Sequence, residues 1–406
     1  MMNFLRRLFL TIVVWFVLVL VALQIASNFF LAPLLEREGR KIFKTPVRVE
    51  KARLDVLTGS LWMKGVRIKN AEGFQEPDFF SAKRVLIDLS FLGLLTNEFV
   101  VSQVRLDEPT FVIETNLSGD ANALAFANRV FGQLQKFSGK RWGPLRQFTQ
   151  YALEKFSIRS GLVQFVDQHN KERKWSLNPV SLSLARVVYP PDPEEALPAA
   201  VYLNASVEGA RTGKVLALGR VNFFAKKASF DITGSLKDIV LSEYSQFLGN
   251  FPLRFSEGVL QLKVKALCHE NQIDLYHQIT IDKPKFADLT AQNAPPSEKG
   301  KSKEQLAFGL PPETVIYFFN QLREPNKPLE LDFHVTGDLS DPKFSVFRGI
   351  QAGIDRAIQG MVTEKMEAIR EETKQIAEEA LLKLTSAAPS LEINHEEEKT
   401  SSERKN

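Results

Sequence analysis

Between Val85 and Val335 apolar and polar side chains alternate with a period of two. This is the signature of strands with one dry face. In VLQLKVKAL, Leu260, Leu262, Val264 and Ala266 point one way, while Gln261, Lys263 and Lys265 point the other. The next run places Ile273, Leu275, Ile279 and Ile281 against Asp274, Tyr276, Gln278 and Thr280, and His269-Glu270-Asn271-Gln272 between the two supplies hairpin turn chemistry. LELDFHV sets Leu329, Leu331, Phe333 and Val335 against Glu330, Asp332 and His334. The same reading fits VLIDLSF from Val85, VYLNASV from Val201, LALGRVNFF from Leu216 and ASFDITG from Ala228. No βαβ rhythm accompanies these runs, so the pattern predicts an antiparallel meander.

Helical spacing interrupts the alternation in three places. Ala121–Gln135 and Leu145–Phe156 are read as an amphipathic pair around Gly139 and the Gly143-Pro144 breaker. From Val346 to about Leu384, Phe347, Ile350, Ile354, Ala357 and Met361 fall three or four residues apart. Beyond Pro389 the chain is read as a disordered charged tail, and Ala294–Lys303 as a flexible loop within the β region. Ahead of all this, Leu8–Leu35 contains no charged residue, more than the roughly 20 apolar residues that cross a bilayer core. A cleaved signal peptide, the competing reading, has a shorter apolar region of about 7 to 15 residues. Arg6 and Arg7 precede the run, whereas Arg37, Arg40, Lys41, Lys44 and Arg48 follow it, so counting charges leaves its orientation open.

Composition adds mostly exclusions. With 44% hydrophobic and 25% charged residues the chain is of globular type, and a net charge of +4 gives no support to nucleic-acid binding. Phe occurs 31 times against 6 Tyr and 4 Trp, an excess of purely apolar bulk. A single cysteine, Cys268, excludes an intrachain disulfide. Gly209-Ala210-Arg211-Thr212-Gly213-Lys214 is too short for a phosphate loop, and Val215 stands where a hydroxyl is required. Cys268 and His269 are adjacent on a strand and point to opposite faces, which disfavours a metal site with His277. His277 falls on the apolar face of its strand, as a hydrogen-bonded inward histidine or one near the sheet rim. Asp338 and Asp341 are ordinary turn residues. The sequence therefore predicts neither an enzyme nor a bound cofactor or metal.

Two stretches resemble the AsmA family of bacterial envelope proteins. After the apolar run, the order of features is Gly59 to Gly65 around a short strand, Gly73-Phe74 with Pro77, a strand ending in Phe91-Leu92-Gly93-Leu94-Leu95, then Asp107-Glu108-Pro109 and Asp120-Ala121-Asn122. Near the other end, LELDFHVTGDLSDPKFSVF is similar to the closing segment of family members of the YhdP type. The resemblance implies an inner-membrane anchor, a periplasmic β-rich body, and a role in moving phospholipid toward the outer membrane along an apolar groove. It also settles the orientation that charge counting leaves open.

The fold expected is mainly β with some α: an N-terminal transmembrane helix, then an elongated, curved antiparallel sheet forming a groove, a few amphipathic helices and a C-terminal helix. Residues 1–35 form a cytoplasmic stub and single-pass anchor, 36–345 the AsmA-like periplasmic body with a helical insertion at about 121–156, 346–385 the amphipathic helix, and 386–406 the tail. About 16 strands at roughly 4.8 Å spacing make a sheet about 75 Å long, more apolar face than the helices cover. Acyl chains in the trough or a self-packed β-sandwich both solve that burial problem. Leu260, Leu262, Val264, Ile273, Leu275, Ile279, Ile281, Leu331 and Phe333 are the expected lining of a groove that guides phospholipid or another acyl lipid. The C-terminal helix plugs the groove, docks an envelope protein partner or caps a sheet edge. A scaffold for outer-membrane protein or lipopolysaccharide assembly, acting by protein contacts, is the alternative.

Overall fold

The computed structural model describes the chain apart from residues 1, 91–92, 94–95, 130–147, 169–173, 193, 210, 245–254, 287–326, 342 and 387–406. The predicted loop 294–303 and the tail beyond Pro389 therefore lie outside the described residues. The chain divides into two units, residues 1–357 and 358–406.

The first unit is built on one open, curved sheet of twelve strands whose spatial order is the order of the chain. The strands are β1 (Val47–Asp55), β2 (Ser60–Lys69), β3 (Asp78–Leu89), β4 (Glu98–Thr115), β5 (Gln150–Asp167), β6 (Lys174–Tyr189), β7 (Ala199–Val207), β8 (Gly213–Val221), β9 (Phe230–Val240), β10 (Phe255–His269), β11 (Gln272–Phe286) and β12 (Leu329–Asp338). Twelve strands at roughly 4.8 Å spacing give about 53 Å of ladder, shorter than the length expected from sequence. β1 and β12 are its edges, so the described sheet is not a closed sandwich. The predicted turn between β10 and β11 is present: Glu270 and Asn271 both adopt positive φ, 49° and 73°, as a two-residue turn of the primed type requires.

The sheet is mixed, which corrects the purely antiparallel expectation. β4 and β5 run parallel, with Glu98 beside Gln150 and Thr115 beside Asp167. A parallel pair needs a crossover that returns the chain to the same rim. The 121–156 insertion contributes it: residues 122–129 are helical, Ala121 bridges back to Thr115, and residues 130–147 lie outside the described part. The second predicted helix, Leu145–Phe156, is instead strand from Gln150 onward.

Helix α1 (Met2–Phe43) lies against β1. Gln24 clamps its middle to the end of that strand, donating from Nε2 to the Leu54 carbonyl at 2.7 Å and accepting from the Val56 N–H at 3.2 Å. Glu36 accepts from Val49 N–H at 2.8 Å, and Leu31, Ala32, Leu35 and Phe43 pack on a core of Val47, Val49, Ala52, Val66 and Phe80. The final third of the uncharged run thus lies on the sheet. Among the described residues no helix is long and apolar enough to cross a membrane. The side chains of Met2–Val13 are not among those described.

Three further helices are α2 (residues 122–129), α3 (Leu241–Tyr244) and α4 (Val346–Ser386). The first turns of α4 cover the β10–β12 end of the sheet, as the three- and four-residue spacing predicts: Val346, Ile350, Ile354 and Ala357 pack against Cys268, Ile273, Leu275, Phe333 and Val335. The second unit contains residues 358–386 of α4, rich in Glu and Lys, and every described side chain there is exposed.

Candidate apolar binding face

Cross-strand register carries one row of side chains across the whole sheet. Ala52, Met63, Val85, Leu106, Ile158 and Leu182 are successive partners from β1 to β6. Leu203, Ala217, Gly234, Val264, His277 and Phe333 continue it from β7 to β12. Side chains of directly paired residues lie on one face, so this row marks the face that carries the core.

Among the described residues helices pack on the two ends of that face, while its middle is covered only in part, with Val180, Ala199, Ala205 and Val207 buried there. At the β1–β5 end α1 and Phe126 of α2 close it, Phe126 stacking on Phe79 at 3.9 Å. At the β10–β12 end α4 closes it so tightly that a Cβ added to Gly353 would lie 2.4 Å from the Phe333 ring, and one added to Gly349 would lie 2.4 Å from Val335. Between them, Val201, Leu203, Val215, Leu262 and Val264 are half-exposed, and the described core clusters stop short of them. The floor here is low. Ala205, Ala217, Gly219 and Gly234 carry little or no side chain, and a Cβ built at Gly234 meets nothing closer than the Leu216 carbonyl at 3.8 Å.

The nine residues predicted to line a groove separate into four sets. Ile273, Leu275 and Phe333 are buried under α4. Leu260, Ile281 and Ile279 pack with Leu241 of α3 and Phe255, and Ile279 also touches the α4 cluster. Leu331 is buried beside Ile279 on β12. Of the nine, Leu262 and Val264 face the half-exposed stretch. Alternation identifies the face but carries no information on what lies over it, which is why sequence reasoning joined all nine and missed Val201, Leu203 and Val215.

His277 is the titratable group of the row. It is 5% exposed, stacks on Phe333 with ring centroids 4.7 Å apart, and its Nδ1 has no hydrogen-bond partner among the described residues. Burial pushes its pKa below the ordinary histidine value, so the ring is held neutral. Cys268 is buried and its thiol pKa is raised, chiefly by burial, whereas His269 is exposed on the opposite face.

A polar hub that alternation cannot reveal closes the rim where β4 ends. Glu114, fully buried, accepts from the backbone N–H groups of Gln75 at 2.8 Å and Glu76 at 2.9 Å, from Asn70 Nδ2 at 3.1 Å and from Gln168 Nε2 at 2.5 Å. Asn122, also fully buried, accepts from the Glu114 N–H and donates to the Val112 carbonyl and Asn70 Oδ1. The loop containing Gly73, Phe74 and Pro77 is tied here to Asn122. Two features quoted for the family resemblance therefore meet in one structural network. Compared with known proteins, the chain matches no family model and no curated sequence.

Proposed function

We propose that this is a membrane-anchored periplasmic protein of AsmA-like type that holds phospholipid acyl chains on the half-exposed middle of its sheet. The observation that carries the reading is the half-exposed apolar stretch over β7–β10, floored by small residues between two ends that the protein covers itself. Water against that stretch is costly, about 25 cal/mol per Å² of apolar surface, and an acyl chain removes that cost without needing a polar partner. The part of the uncharged run that lies before Gln24, Leu8–Leu23, supports the inner-membrane anchor. Movement of lipid is passive at this protein, without cofactor or catalytic group, and contributes to outer-membrane lipid homeostasis. The alternative, a scaffold acting by protein contacts, draws on the exposed, charged side chains of residues 358–386.

Photocrosslinking probes placed one at a time in the full-length protein test the reading in membranes. Probes at Leu262 and Leu203 are expected to capture acyl lipid, and probes at Ile273 and Leu275, under α4, to capture none. Absence of lipid adducts at Leu262 and Leu203, together with no lipid in mass spectra of the purified protein, would sink the acyl-chain reading and leave the scaffold.

A further inference from the structure

We propose that one rim of the sheet, the one past which α1 leaves the body, rests on the bilayer surface, so that the strands stand on the membrane by their ends. This deepens the anchor reading above and rests on it.

The direction of α1 is fixed at two points. Glu36 meets Val49 near the start of β1, and Gln24 meets Leu54 and Val56 at its end. Continuing the same way, Met2–Leu23 run beyond the sheet. Of that stretch the uncharged part, Leu8–Leu23, rises roughly 24 Å at 1.5 Å per residue, most of the roughly 30 Å of a bilayer core, and Arg6 and Arg7 lie beyond it. The sheet end beside Gln24 is therefore the end nearest the membrane.

That end also collects exposed apolar side chains. The exit rim comprises the β1–β2, β3–β4, β6–β7, β8–β9 and β10–β11 turns, the start of β5 and the chain after β12. It presents Leu57 at 75% exposure, Tyr189 at 49%, Phe223 at 50%, Phe224 at 45% and Leu339 at 39%. Tyr189 and Phe224 meet edge to face at 5.2 Å, and Tyr151 and Phe99 extend the aromatic line along the rim. Backbone hydrogen bonds from Asn271 to Ala228 and from Leu339 to Asn271 join neighbouring turns into one ledge. On the opposite rim the described loops offer Leu117, while Arg37, Arg40, Lys41 and Lys44 gather at the end of α1. Aromatic and leucine tips level with the exit of an apolar helix match the interfacial belt of membrane proteins, whose rings sit at headgroup depth. Lys226 and Lys227 are offset by Glu270 and Asp338 on the same ledge, so the contact is apolar rather than a response to anionic lipid.

Spin labels test the proposal in the full chain, reconstituted in phosphatidylethanolamine–phosphatidylglycerol vesicles, using Val14→Cys, Leu57→Cys, Phe223→Cys and Leu117→Cys in a Cys268→Ser background. Collision with a water-soluble nickel chelate is compared with collision with oxygen. Labels at 57 and 223 are expected to lose nickel accessibility at least threefold on moving from amphipol to vesicles, while the label at 117 keeps it and the label at 14 is shielded throughout. Full nickel access at 57 and 223 in vesicles, with 14 shielded, overturns the rim and leaves the anchor standing. Nickel access at 14 overturns the anchor and the rim with it. Shielding of 57 and 223 already present in amphipol assigns the cover to protein, and also overturns the proposal.

Discussion

Glu114 and His277 show two ways of burying a polar side chain beside an apolar face. Glu114 has four donors around its carboxylate, so removing it orphans several groups at once. His277 survives by staying neutral. Its folded pKa lies below the unfolded value of about 6.5, so the unfolded chain takes up the proton first as pH falls. The stability it contributes is complete above about pH 6.5 and is lost as pH falls from there toward the depressed folded value. His334, on the neighbouring strand, lowers it further when charged. We expect the melting temperature to drop between pH 7 and pH 5 by less in His277→Phe than in the parent; an equal drop in both would show that the ring is not held neutral. The inward direction of His277 was legible from alternation with Leu275 and Ile279. The roles of Glu114 and Asn122 were not, because their partners lie as far away in the chain as Asn70 and Gln168.

At the scale of the element, the head of α4 was legible and the start of β5 was not. Ile350, Ile354 and Ala357 repeat with helical spacing because only one side of the helix meets the sheet. In Tyr151–Phe156 apolar groups fall on both faces: Ala152 and Phe156 pair with Val188 and Leu184, while Tyr151 and Leu153 pair with Tyr189 and Val187. Period two vanishes from such a strand, and Ala, Leu, Glu and Lys then favour helix on local propensity alone. Two glycines of α4 separate propensity from packing. Gly→Ala inside a helix gains up to about 1 kcal/mol, whereas overpacking costs about 1–3 kcal/mol. Gly360 has open space around a built Cβ, and Gly353 has the Phe333 ring at 2.4 Å. Urea denaturation is expected to show Gly360→Ala neutral or stabilising and Gly353→Ala destabilising by about 1–2 kcal/mol. Stabilisation by Gly353→Ala would mean that α4 does not seat on Phe333.

For the whole molecule, a meander of strands was legible from alternation and turns, but neither their number nor the parallel β4–β5 pair was, and the half-exposed stretch was not, because coverage depends on where α1 and α4 land. α1 is the clearer lesson. One uncharged run contains both Leu31, Ala32 and Leu35, which belong to the sheet, and the residues before Gln24, which run on past the end of β1. The run therefore has two jobs that hydropathy cannot separate. Chains beginning at residue 24 and at residue 44 distinguish them. The first is expected to fold. The second loses the partial burial of Leu31, Leu35 and Phe43, each worth up to about 1.5–3 kcal/mol, or up to about 4.5–9 kcal/mol in all, comparable with the total stability of many domains. Thermal melting and limited proteolysis should show cooperative unfolding only for the longer chain; equal behaviour would mean that α1 is dispensable to the sheet.

The connections between strands also set the order of assembly. Where neighbours are joined by a few residues, as β10 and β11 are by Glu270 and Asn271, they can zip together as soon as both are synthesised. Two junctions are different. β5 can meet β4 only after a connection of about 34 residues, and β12 can meet β11 only after one of about 42, and closing a chain of that length costs roughly 2.5 kcal/mol more entropy than closing a two-residue turn. Folding therefore starts from two locally wound ladders, β1–β4 and β5–β11, which join at the parallel seam, while β12 arrives late and brings with it the helix that closes the far end of the apolar face.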